Sequence, residues 1–161
     1  LDVFFTALNL PSSKFQKNLV DSGLTSYSSI GYYTQSSSGE LSFSASTPSN
    51  KIEIFKKKFL EELENMKKDD YVSDEEIDTA KKNIEINYLY SQESGQKYAS
   101  ETLGFWSNVS GLDYYFNYTE KTNKVTKNDI KKALKKYFFD QKYVMGLLIS
   151  KEEQEKNNVK F

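Results

Sequence analysis

The chain has 161 residues with net charge −1, from 22 basic and 23 acidic side chains, and is 37% hydrophobic and 28% charged. That length and balance suit one domain with its own core and exclude a disordered tail or a strongly cationic nucleic-acid binder. It contains no Cys and no His, and every basic residue is Lys, which removes thiol chemistry, the commonest general base and zinc ligand, and bidentate guanidinium recognition.

In chain order, Leu1, Val3, Phe4 and Leu8 share one helical face, and Pro11 ends the segment. The chain opens on Leu1 rather than Met, without a signal-peptide pattern, and LDVFFTALNL reads as the end of a helix. A longer protein, cut upstream of Leu1, is therefore expected. Ser12 or Ser13 can cap a short helix through Phe15, Leu19 and Val20, with Gly23 past its end. Leu24 to Thr34 is strand-like, SSSG turns, and Glu40 to Ser46 alternates, with Leu41, Phe43 and Ala45 opposite Ser42, Ser44 and Ser46. Pro48 stops this strand.

Ser49 or Asn50 starts a helix carrying Ile52, Phe55, Phe59, Leu63 and Met66 at three- and four-residue spacing. Ser73-Asp74-Glu75-Glu76 is a capping box for a helix with Ile77, Ala80, Ile84 and Tyr88 inward. After SQESGQ, a further helical segment holds Tyr98, Leu103, Trp106 and Val109. If Trp106 is buried as this spacing predicts, Trp106→Ala costs about 3–5 kcal/mol. Gly111 precedes a short helix at Leu112–Thr119. Thr126-x-x-Asp129 caps a last helix with Ile130, Ala133, Leu134, Tyr137 and Phe138. YVMGLLIS at 143–150 is a continuous apolar run too short for a helix, which predicts a strand buried on both faces.

This order predicts an α+β fold: a two-layer sandwich with a mixed or antiparallel sheet and helices packed on one face. Residues 1–150 form one domain, and 151–161 a charged tail with weak structure. No apolar run approaches the ~18 residues of a membrane span.

Several segments could carry chemistry. The acidic run DDYVSDEEID has neither the spacing nor the Gly of an EF-hand loop and reads as helix N-terminal charge. The lysine runs at 56–58 and 131–136 are interleaved with acids and read as solvated helix faces, so no nucleic-acid partner is expected. Asn108-Val109-Ser110 and Asn117-Tyr118-Thr119 match the glycosylation sequon, a pattern that arises by chance. No P-loop, nucleophile elbow or dinucleotide fingerprint is present. The aromatic block GFWSNVSGLDYYFNY holds too many rings for one buried stripe, so part of it is core and part lies at a rim, groove wall or domain contact.

Taken together, LVDSGLTSYSSIGY, LSFSASTPSNKIEIFKKKFLEELENM, VSDEEIDTAKKNI, ETLGFWSNVSGLDYYFNY and VTKNDIKKALKKYFFDQKYVMGLLIS follow an order and spacing that resemble the C-terminal, non-catalytic domain of the insulinase/pitrilysin-type zinc metallopeptidases. The resemblance spans about residues 1–150. It implies a metallohydrolase-like fold of the mitochondrial-processing-peptidase type, whose paired domains close around a peptide. The zinc motif of such enzymes, H-x-x-E-H, lies in the other half. No catalytic or metal-binding residue is therefore expected here, and zinc is expected in a missing catalytic half, in the same or a partner chain.

Active relatives carry a pattern like R-x-x-x-G-L-x-Y. Laid on Gly23-Leu24, it puts Leu19 in the Arg place and Ser26 in the Tyr place, and neither matches. Tyr27 is one residue off, on the opposite strand face. The resemblance implies a half that encloses peptide substrate without cutting it, with Ser26, Tyr27, Ser28, Tyr32 and Tyr33 as substrate-facing candidates. The same polar strand also reads as a solvent-facing edge kept free of aggregation. A purely structural scaffold of this fold is the alternative function. Likeness to exported bacterial relatives implies a periplasmic location.

Overall fold

A computed structural model describes residues 1–159. Helix α1 (Asp2–Leu8) buries Val3, Phe4, Phe5, Ala7 and Leu8, so it is apolar nearly all round and sits inside the core. Ser13 caps α2 (Lys14–Gln16), its Oγ accepting the Gln16 amide at 3.1 Å. The helix runs on through a π-helical turn, Lys17–Asp21. Gly23 then reverses the chain at φ +72°, a left-handed conformation that favours glycine.

Strands β1 (Tyr27–Tyr33) and β2 (Glu40–Ser46) form an antiparallel pair with Ile30 opposite Phe43. A 3-10 turn, Ser49–Lys51, leads into α3 (Ile52–Asn65), and α4 spans Asp74–Tyr90 behind the predicted Ser73/Glu76 capping box. A short helix α5 (Gly95–Lys97) continues as a π-helical stretch, Tyr98–Leu103, into α6 (Gly104–Val109). Then follow α7 (Leu112–Phe116), α8 (Tyr118–Asn123) and α9 (Lys127–Tyr137), the last behind the predicted Thr126/Asp129 box.

One hydrophobic core joins these elements. Phe4 and Leu8 of α1 meet Phe15 of α2, Leu19 of the π-helical turn that follows it, Ile77 and Ala80 of α4, and Ile130 and Leu134 of α9. Phe43 of β2 stacks on Phe59 of α3 at 4.0 Å between ring centroids and meets Phe15 edge-on at 5.9 Å. The helices thus cover one face of the hairpin, the α+β arrangement expected. The side chain of Asn9, just past α1, holds the outer edge of β1: its Nδ2 donates to the Ile30 carbonyl at 2.7 Å, and its Oδ1 accepts the Ile30 amide at 3.1 Å.

Three expectations are corrected. Residues 143–150 form no helix and join no sheet among the described residues. Met145, Leu147 and Ile149 are half-buried, keeping the period of two, while Val144 and Leu148 are almost wholly exposed at 97% and 101%. A strand buried on both faces needs ladder partners for its amides. Here β1 and β2 pair only with each other, and Asn9 and Gln16 occupy the far edge of β1. Second, the C-terminal tail is not weakly structured throughout. It forms α10 (Lys151–Lys156), capped by Ser150 and tied to Ser49 by Glu153 and Asn157, and Val159 is buried. Third, Trp106 is half-buried. Helix α6 buries none of its residues, and its Trp106 ring meets Tyr114, Tyr115 and Tyr118 of α7 and α8 at the margin of the main core.

Candidate functional site

The hairpin register sorts the predicted residues onto two faces. Tyr27, Ser29, Gly31 and Tyr33 lie on the outward face, opposite Ser46, Ser44, Ser42 and Glu40. Ser28, Ile30 and Tyr32 lie on the inward face, opposite Ala45, Phe43 and Leu41. Tyr27 and Tyr33 are 55% and 59% exposed, and the three β2 serines are exposed. No aliphatic side chain interrupts this outward face, which extends about 20 Å from Tyr27 to Tyr33.

Ser28 is buried. Its hydroxyl donates to Gln16 Oε1 at 3.1 Å, and its carbonyl accepts from Gln16 Nε2 at 3.2 Å, so it fastens β1 to α2. Tyr32 lies over the hairpin turn. A Cβ on Gly39 would come within 2.1 Å of its ring, so a side chain there would displace the exposed Tyr32 ring. Ser26 is exposed just ahead of β1, its amide donating to the Ser46 carbonyl at 2.9 Å. Of the five candidates, the outward face therefore gathers Tyr27 and Tyr33. Sequence reasoning passed over Ser29, Ser42, Ser44 and Ser46 as site residues. The serine alternation of β2 was the available signal, and only the register shows that it continues across β1.

Beyond Tyr33 the surface becomes aromatic. Tyr33 lies 6.5 Å from Phe105, which meets Trp106 edge-on, and Trp106 stacks on Tyr114 at 5.6 Å. Tyr118 anchors this group by donating its hydroxyl to Asp2 Oδ2 at 2.6 Å. Burial pushes the Tyr118 phenol well above the usual tyrosine range, and the Asp2 charge adds to the shift. Tyr114 is raised for the same two reasons, with Tyr32 contributing. These phenols therefore stay neutral donors at neutral pH.

The arrangement can exchange hydrogen bonds and ring contacts. Among the described residues no three His, Cys, Asp or Glu side chains converge, and the chain has neither His nor Cys. Leu19, in the place where the sequence pattern has Arg, is fully buried.

The sequence model of the family described as Peptidase M16 inactive domain matches residues 1–84, just over half of the chain. The chain belongs to the peptidase M16 inactive-domain family. The matched range of this M16 inactive domain runs from α1 into α4 and includes the whole hairpin, while the aromatic block lies beyond it. No match is found among curated proteins. Among the described residues, no helix is long and apolar enough to cross a membrane.

Proposed function

We propose that this M16 inactive domain is the non-catalytic, substrate-enclosing half of a zinc metalloendopeptidase. The outward face of the hairpin would be the wall against which an extended peptide lies. The carrying observation is the predominance of serine hydroxyls and tyrosine rings on that face, joined only by Gly31 and Glu40, with the aliphatic side chains confined to the other. Serine hydroxyls both donate and accept, so they can meet peptide groups irrespective of sequence, while Tyr27 and Tyr33 offer rigid rings to side chains. Hydrolysis in this proposal belongs to a separate zinc-bearing half, in the same or a partner chain, because the residues present here do not suit zinc. An exported, periplasmic setting is part of the same proposal.

A second reading, a scaffold with no part in proteolysis, draws on the burial of Leu19 and on the engagement of Ser26 with Ser46. The test is a cleavage assay. The chain supplied with zinc should cut no peptide in a mixed library, and it should raise turnover when added to a His-bearing half. Peptidase activity in the chain by itself would refute the assignment, and an unchanged turnover would favour the scaffold.

A further inference from the structure

A cleft of about 350 Å³ opens between α9 and the loop joining α3 to α4, and none of its lining residues belongs to the hairpin. Its floor is apolar, built from Phe4, Met66, Ile130, Leu134 and Phe139. Its rim is basic: Lys67 and Lys68 on the loop side, and Lys127, Lys131 and Lys135 on α9. Against these five lysines stand two lining aspartates, Asp69 and Asp140, and two acids that reach the rim from outside the lining, Glu64 and Asp74, which leaves a local excess of one positive charge on a chain whose net charge is −1.

From this geometry we infer that the cleft docks an acidic peptide segment carrying one bulky apolar side chain. The volume falls in the range of ordinary binding clefts and, with the floor, accounts for the apolar anchor. The α9 lysines recur every four residues, so their stems follow one another over about 12 Å of helix. A single carboxylate or phosphate head would meet one or two of them. A chain with several acids in succession meets the whole row. The aspartates already there are weak competitors. Lys131–Asp69 and Lys127–Asp74 are 2.8 Å pairs, but the aspartate side chains are 80% and 85% exposed, and such solvent-screened pairs contribute little. Lys67 is shared between Glu64 at 3.0 Å and Asp140 at 3.4 Å, both largely exposed. Lys135 has no acidic partner among the described residues.

The probe is a short capped peptide of glutamates around a central tryptophan, titrated into the full chain and followed by amide chemical shifts. Saturable binding is expected, with shifts at 66–72 and 127–139 and with affinity falling as salt rises. Replacing the tryptophan by alanine should weaken it. The double variant Lys131→Glu, Lys135→Glu should bind at least about tenfold more weakly, as two reversed charges imply. Lys135→Glu by itself breaks no ion pair among the described residues; because it places a negative charge in the last turn of α9, its fold is checked by an unchanged helical circular-dichroism spectrum. It should still weaken binding. Absence of saturable binding, shifts confined to other segments, or unchanged affinity in both variants would overturn the inference. Equal binding of the alanine peptide or of an oligonucleotide would also overturn it, because the cleft would then read negative charge alone. Tyr27 and Tyr33 substitutions should leave this binding unchanged, which separates it from the sheet face.

Discussion

Glu62 is the residue on which the interior depends most locally. It is fully buried in α3, yet its carboxylate accepts the Tyr71 hydroxyl at 2.6 Å and the Asn18 amide at 3.0 Å, with Lys58 at 3.6 Å. Removing it would strand the Tyr71 hydroxyl in the core. Glu62→Ala should therefore destabilise by about 3 kcal/mol, seen as a lower urea midpoint at unchanged slope. Tyr71 and Tyr118 also set an alkaline limit. Burial raises both phenols, and the carboxylates of Glu62 and Asp2 add to it. The folded state thus holds protons that the unfolded state releases. The stability from this source is intact below about pH 10, the unfolded tyrosine value, and is lost as pH rises toward the folded values. Urea midpoints measured from neutral to strongly alkaline pH should be level up to about pH 10 and then fall. The fall should shrink in Tyr118→Phe.

At the scale of elements, the sequence was informative wherever the signal was local. Both capping boxes form as spelled, since they need only residues three apart: Ser73 with Glu76, and Thr126 with Asp129. The hairpin was legible through its turn and the alternation of β2. The faces of β1 were not, because Ser28 and Tyr32 look like Ser26 and Tyr33 until register and burial separate them. The candidate site was thus half visible: its two outward tyrosines by type, its serines only by pairing. The run 143–150 shows the same limit, since its alternating burial follows from its own residues and pairing depends on partners elsewhere. Trp106 was expected in the core. At half-burial, stacked on Tyr114, Trp106→Ala should cost about 1–2 kcal/mol by thermal or urea unfolding, well below the loss for a core ring.

For the molecule as a whole, the helices and the inward hairpin face make one core, and the outward hairpin face is left to hydroxyls and tyrosines. That division is what a wall needs: rigidity behind, adaptable polar contact in front. Asn9 and Gln16 strengthen it by occupying the outer edge of β1, so a peptide would lie across the face and not extend the sheet at that edge. Titrating the chain with an extended, uncharged peptide while following the amides of 27–33 and 40–46 tests this most directly. The account predicts saturable shifts on those strands that fade in a Tyr27→Ala, Tyr33→Ala variant with an unchanged melting temperature. Shifts absent from the hairpin, or equal in the variant, would contradict it.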